Sequence, residues 1–455
     1  MVERFPYGKA PFWLLTLALI SSLLLVATRQ RAAVDRPDIS LATFAVQHYA
    51  AYKRVLPEFE RLHHVKVGLQ LVDARALQTR LQNAMLAHAA VPDVVEIGDG
   101  SIGYFTRGPL KDIGFLDLTD RIQEGGYRDR IVASRFSKWE SRGRLFAVPH
   151  DVHPVMLVYR ADLLEAAGLR AEDLDTWDAF AAAGRRVLKD LDGDGVTDRY
   201  MIDLPSGGGF GLTVLLLQRG VGLFSKTGEV TFNEPRTVDT IVWYLHQVRG
   251  AARIATECGW GQPLAKAMND GVALFYIAPD WRTNLFQTDV PGLAGKLKIM
   301  PLPAWEKGGR RTSTWGGTGL AITKQSPHPE LAWELAKFLY FTPSELSKRF
   351  ASTGVLPPFR DAWQLPEFQA PSAFYSGQRL GAEFARLAPD TPPVWDSPYS
   401  ATAESKLGEA YLRAAEHFDS HGDDGLREVI QRELGVAEAY VRRIIERNGL
   451  GGPRE

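Results

Sequence analysis

From Ile39 onward, short apolar runs alternate with stretches of helical period, which restricts the chain to sheets with parallel strands covered by helices. Residues 39–44 read as a strand. Tyr52, Val55, Leu56 and Phe59 then fall at i, i+3, i+4 and i+7 and give a helix one apolar face. Val65, Val67, Leu69 and Leu71 alternate with polar or small residues, the period of a strand with one buried face. Leu77, Leu81, Ala84 and Met85 make the next helix face, and 94–97 a third strand. A second series starts at the unbroken apolar run 155–159, suited to a central strand. It includes helices near 176–189 and 235–248 and strands near 272–276, 297–300 and 320–323. Pro329 opens a helix carrying Leu331, Leu335, Phe338 and Leu339, and 401–447 is mostly helical with Gly425 and Gly435 as weak points. At 455 residues the chain has room for two such α/β domains.

Ahead of this body, residues 12–28 form seventeen uncharged, mostly apolar positions, with Arg4 and Lys9 before them and Arg29, Arg31 and Arg36 after. That is the layout of an export signal. Crossing a hydrocarbon core takes about 20 helical residues, so the run is short for a span and long for a cleavable signal. A small-x-small cleavage site is poorly made: Leu25 stands at the third position ending at Ala27, and Arg31 at the third ending at Ala33. The expectation is therefore an uncleaved transmembrane helix in 1–36, holding the chain at the periplasmic or extracellular face of the cytoplasmic membrane. No cysteine ends the apolar stretch, which excludes a lipid anchor there. With 53 basic against 54 acidic side chains there is no excess positive charge to neutralise a phosphate backbone, so nucleic acid is not expected as a partner. The single cysteine, Cys258, forbids an internal disulfide and a thiolate zinc site.

The sharpest local motif is the acidic loop 190–198. Asp190, Asp192 and Asp194 stand at relative positions 1, 3 and 5, a glycine at 6, the Val196 carbonyl at 7 and Asp198 at 9, an oxygen set that wraps a hard Ca2+ ion as a structural staple. Met201 takes the twelfth position, where a complete loop has a bidentate glutamate, and a bare Asp/Gly-rich turn is the plainer reading. Gly98, Gly100 and Gly103 match G-x-G-x-x-G but follow the third strand, so a nucleotide is disfavoured; the loop would place Asp99 and Ser101 at the carboxyl end of a strand, where crevices form. His150, Asp151 and His153 are too few for a transition-metal site by themselves, and there is no HExxH, Walker loop or G-x-S-x-G. Eleven tryptophans are many for this length, and Trp260, Trp281, Trp305, Trp315 and Trp395 sit beside loop signals. Flat rings beside Asp, Gln and Arg suit the two sides of a sugar, although any one tryptophan is more often packing.

Taken in order, several segments resemble the bacterial extracellular solute-binding proteins of the sugar-binding type that feed ABC importers. They are Val91-Pro-Asp93-Val-Val-Glu-Ile-Gly98, Gly143-Arg-Leu-Phe-Ala-Val-Pro149, Tyr159-Arg-Ala-Asp-Leu-Leu-Glu-Ala-Ala-Gly168, the acidic loop, Gly316-Gly-Thr-Gly-Leu-Ala-Ile-Thr323, His328-Pro-Glu-Leu-Ala-Trp333 and Gly354-Val-Leu-Pro357. The resemblance implies an α/β two-lobe periplasmic-binding-protein fold with hinge crossings and an interlobe cleft. Lobe one would be 37–152 plus 296–350, and lobe two 156–292 plus 354–447. Ligand contacts would fall on Phe44, Gln47, Asp99, Ser101, His150, Asp151, Trp281, Trp315, Gly316 and Gly317, with Phe210, Trp395 and Tyr399 as looser assignments. The implied function is capture of a sugar or oligosaccharide by a monomer and delivery to an ABC transporter permease, without catalysis. Two other readings stay open on sequence: a secreted calcium-dependent carbohydrate-active enzyme, and a ligand-sensing domain for a signalling partner.

Overall fold

The computed structural model describes residues 9–34, 37–106 and 108–447. In chain order its strands are β1 (Ile39–Thr43), β2 (Val67–Leu71), β3 (Val94–Gly98), β4 (Glu140–Ser141), β5 (Arg144–Leu145), β6 (Val148–Pro149), β7 (Val155–Arg160), β8 (Tyr200–Asp203), β9 (Ala255–Thr256), β10 (Ala273–Pro279), β11 (Leu297–Pro301) and β12 (Thr318–Ile322). They build two five-stranded sheets, ordered β2-β1-β3-β12-β6 and β11-β7-β10-β8-β9, with β4 and β5 as a separate hairpin. In the first sheet β1 pairs in parallel with β2 and β3, and β12 runs antiparallel to β3 and β6. In the second, β8, β9 and β10 are parallel while β7 runs against both β10 and β11. This is a two-domain α/β architecture.

The sequence reasons for the elements are local. Every residue of β7 and of β10 is buried, as an unbroken apolar run requires of a strand covered on both faces. The helix Trp177–Val187 starts where the Thr176 side chain accepts a hydrogen bond from the Ala179 amide, and Pro235–Val248 and Pro329–Phe341 each open on a proline that needs no partner for its missing N–H. Near the C-terminus, Ser400–His421 and Leu426–Arg447 are parted by Gly422 and Gly425, both at positive φ, whereas Gly435 lies inside the second helix. β2 is an edge strand, half-buried to exposed along its length, and lacks the one buried face that its alternation predicts.

Two expectations are corrected. β11 falls in the range assigned to lobe one, yet it pairs with β7 from Leu297–Arg160 to Pro301–Met156, so it belongs to the second sheet; the chain rejoins the first sheet only at β12. The physical reason is that an apolar strand joins whichever edge is open, and β7 had one. The second correction concerns the membrane. The helix Ala10–Val34 forms, with Phe12, Trp13, Leu14, Leu15, Leu17 and Leu19 exposed, but among the described residues no helix is long and apolar enough to cross a membrane. The expected transmembrane helix is not present: seventeen apolar positions rise only about 25 Å against a core of about 30 Å. Arg4 and Arg36, the outer charges of that signal, lie outside the described residues.

Candidate functional site

The carboxyl ends of β1 and β3 open onto a cavity of about 540 Å³, within the range of small-molecule sites. From the first sheet and its helices it is lined by Phe44, Gln47, His48, Gln78, Glu96, Asp99 and Ser101, among others. His153, Trp281 and Val355 close it from the direction of the second sheet, and Gly316, Gly317 and Thr318 lie on the segment passing between the two. Seven of the thirteen ligand positions read from the sequence therefore meet here: Phe44, Gln47, Asp99, Ser101, Trp281, Gly316 and Gly317.

Polar groups and rings both line the cavity. The Asp99 carboxylate is part-exposed and 2.7 Å from the Lys138 ammonium, whose Nζ also donates to the Gly316 carbonyl at 2.7 Å. Gly316 has φ +88, a backbone that a side chain would strain, and a Cβ there would sit 3.6 Å from the Trp281 indole nitrogen. Trp281 follows β10 in the helix Asp280–Asp289, and its indole N–H donates to the Trp315 carbonyl at 3.3 Å. Trp315 stacks face to face on Phe210, centroids 4.2 Å apart and planes at 4°, while Trp260 and Trp281 approach it at 5.9 and 5.3 Å. Behind these rings the buried Arg282 guanidinium lies 4.7 Å from Trp260 and 5.6 Å from both Phe210 and Trp315. Phe210 and Trp315 thus stand behind Trp281, one ring removed from the cavity lining.

His150 and Asp151 lie beneath the cavity, fully buried, and hold the connections together. Asp151 accepts from the Thr318 amide at 2.9 Å, from His150 Nδ1 at 3.1 Å and from His153 Nε2 at 3.2 Å, with Arg135 at 3.6 Å. His153 Nδ1 reaches Asp280 at 2.6 Å, and Asp280 accepts from the Leu356 and Trp281 amides. One charge network therefore ties residues 150–153 and 318 to the end of β10 and to the irregular segment 354–356. Burial opposes charge on Asp151 and His153, but the neighbouring imidazoles hold Asp151 well below the ordinary carboxylate range, and the two carboxylates push His153 up to about 9. Burial and the nearby His48 push His150 down to about 3.

Trp395 packs half-buried against the second core with Lys226 5.8 Å from its ring, and Tyr399 is buried just ahead of the helix Ser400–His421; neither lines the cavity. Between them Asp396 accepts from the Gly103 amide at 3.0 Å. His48, Glu96, Asp280 and Arg282 supply polar groups at or behind the site and were missed by sequence reasoning, which weighed His153 only as a metal ligand. His48 and Glu96 follow β1 and lie on β3, so their strand register was the available signal. Among the described residues two groups can hold a metal ion: buried His48, Glu96 and His150, and exposed Asp190, Asp192 and Asp194. In the acidic loop the Asp190 carboxylate accepts from the Gly193 and Gly195 amides, which lowers its pKa, and Asp198 accepts from the Leu191 amide.

Known proteins with this architecture match most of the chain. The family profile of bacterial extracellular solute-binding proteins matches residues 45–344. An arabinooligosaccharide-binding protein of Halalkalibacterium halodurans is 27% identical over 340 residues, covering 73% of this chain and 74% of its own. Its counterpart in Bacillus subtilis is 26% identical over 337 residues, covering 73% and 76%. Among solved structures, an extracellular solute-binding protein of family 1 superposes with a TM-score of 0.71 at 20% identity, over 88% of this chain and 99% of that one. The sugar-binding protein MalE from Xanthomonas citri gives 0.70 at 22% identity, over 90% and 99%.

Proposed function

Since this chain belongs to the bacterial extracellular solute-binding proteins, we propose that it captures an oligosaccharide outside the cytoplasm and hands it to an ABC transporter permease. It is a transport binding protein and not an enzyme. The observation that supports the ligand class is a cavity lined by Gln47, Asp99 and Ser101 together with Trp281, which contacts the Phe210–Trp315 stack. Carboxylate, amide and hydroxyl groups bind sugar hydroxyls, while an indole face covers the C–H side of the ring. The similarity to two arabinooligosaccharide-binding proteins favours an arabinose-type oligosaccharide.

The two sheets act as two lobes, the first carrying most of the polar lining and the second carrying Trp281, with the cavity as the interlobe cleft. Lobe one takes 37–152 and the chain from β12 to about 350, and lobe two 156–301 with the C-terminal helices. Bound ligand gives the second lobe contacts that it lacks in the open state, so differential affinity drives closure, which the permease would recognise. The N-terminal apolar helix, whose large side chains are exposed, serves as the export signal, and the acidic loop holds Ca2+ as a staple far from the chemistry of the cleft.

Titration of the purified protein with arabinotriose, lactose and maltotriose, followed by tryptophan fluorescence, tests the ligand class. Arabinotriose should bind tightest, and Trp281→Ala should weaken it at least tenfold while leaving the ligand-free melting temperature within a few degrees. Small-angle scattering should show a smaller radius of gyration with the bound sugar. Equal, negligible binding of all three sugars would overturn the ligand class, and an unchanged radius with a bound sugar would overturn closure.

A further inference from the structure

Glu96 is a fully buried carboxylate surrounded by donors. Its Oε1 accepts from the hydroxyls of Tyr52 and, at 2.9 Å, Tyr340; its Oε2 accepts from the Thr43 hydroxyl and from His48 Nδ1 at 3.0 Å. His150 packs against His48, their ring centroids 4.0 Å apart. Its Nδ1 donates to Asp151, and its other nitrogen, Nε2, is buried without a hydrogen-bond partner. An imidazole that donates one N–H to a carboxylate and keeps the second nitrogen bare has the arrangement of a metal-bound histidine, because the carboxylate fixes the tautomer and strengthens the lone pair. His48, Glu96 and His150 each offer a ligand atom within 4.8 Å of the others. Two donors about 2.0–2.1 Å from a tetrahedral ion stand roughly 3.3 Å apart, close to the 3.0 Å between His48 Nδ1 and Glu96.

We propose that His48, Glu96 and His150 form a binding site for a first-row transition cation of the zinc type at the floor of the cavity. Two imidazoles and one carboxylate are a borderline-soft set that selects such an ion over Ca2+ or Mg2+, which want oxygen alone. Three protein ligands leave a fourth position open, and it faces the cavity, since His48 and Glu96 line it. The ion replaces the His48–Glu96 hydrogen bond and supplies His150 Nε2 with the partner it lacks. It also joins three separate parts of the fold: the helix Val46–His63, β3 and the segment after β6. This inference is independent of which sugar is bound.

The test uses the full chain, freed of metal by chelator, titrated with Zn2+ by calorimetry and with Co2+ by visible absorption. One equivalent of Zn2+ should bind, unaffected by millimolar Ca2+, and Co2+ should give the intense d–d bands of a four- or five-coordinate site with nitrogen ligands. His48→Gln and His150→Gln should each weaken binding at least tenfold. His417→Gln, which breaks the exposed pair of His417 and His421 with rings 4.6 Å apart, and Asp190→Asn should leave it unchanged. Absence of stoichiometric Zn2+, or loss of the signal in His417→Gln instead, overturns the proposal. Where a cavity variant fails to fold, the wild-type Co2+ spectrum decides: weak six-coordinate bands overturn the site.

Discussion

His153 stands between the carboxylates of Asp151 and Asp280, fixed to both, and retains its proton up to a pH of about 9. A histidine whose pKa rises from 6.5 on folding binds more protons in the native state between 6.5 and 9. Its contribution, on the order of 3 kcal/mol, is complete below 6.5 and lost as pH rises through 9. His150 acts in the opposite sense. Its folded pKa of about 3 means that the unfolded chain takes up the proton first, so its contribution is complete above 6.5 and lost as pH falls toward 3. Urea unfolding across pH 4 to 10 should therefore show maximum stability near pH 6.5, with His153→Gln flattening the alkaline limb; an unaltered limb in that variant would refute the assignment. Removing the shared anion should cost more. Asp151→Ala leaves Arg135 buried without its carboxylate and His153 with Asp280 alone, and a loss of about 3–5 kcal/mol is expected from the urea midpoint. A variant as stable as the parent would show that the network is dispensable. Asp151 was legible in the sequence as a residue carrying chemistry, but its task was not, because adjacency to His150 says nothing of Arg135, His153 or Asp280 closing around it.

At the scale of elements, the loop joining the helix Trp177–Val187 to β8 is the most exposed piece of chemistry. Its carboxylates cap their own backbone: Asp192 accepts from the Asp194 amide and Asp194 from the Val196 amide, so the turn is shaped before any ion arrives. A Ca2+ ion at a hundred times its dissociation constant should add about 2.7 kcal/mol, raising the melting temperature, and excess EDTA should remove the gain. In Asp190→Asn or Asp194→Asn the calcium effect should vanish while the ligand-free melt stays put; a calcium shift that persists in both would place the ion elsewhere. The strands and helices around this loop were the most legible part of the chain. Residues 155–159 and 235–248 announced a covered strand and an amphipathic helix by period alone, and β7 and Pro235–Val248 answer them closely. Two-residue strands such as β6 and β9 were not legible, since so short a pairing is imposed by the neighbours and leaves no period to read.

On the scale of the whole molecule, the core does not divide as the sheets do. One apolar cluster runs from Ile39, Phe59 and Trp139 near the first sheet through Leu356, Phe359 and Phe368 to Met268, Tyr276 and Phe286 against one face of the second, and a separate cluster fills the other face. Shared packing of this kind makes the halves unfold together, so calorimetry of the full chain should show one cooperative transition, displaced upward by bound oligosaccharide; two resolved peaks would mean independent lobes. The sequence by itself determined the elements, the α/β class and the positions of the chemical residues, because periodicity, capping and turn chemistry are properties of neighbours along the chain. It also carried the family likeness. Only the tertiary structure decided which sheet β11 joins, that Phe210 reaches Trp315, and that Asp151 lies beneath the cavity and not in it. Those outcomes depend on contacts between residues up to more than a hundred positions apart, set by which edge is open and which charges must be paired once water is excluded, and no local pattern encodes them.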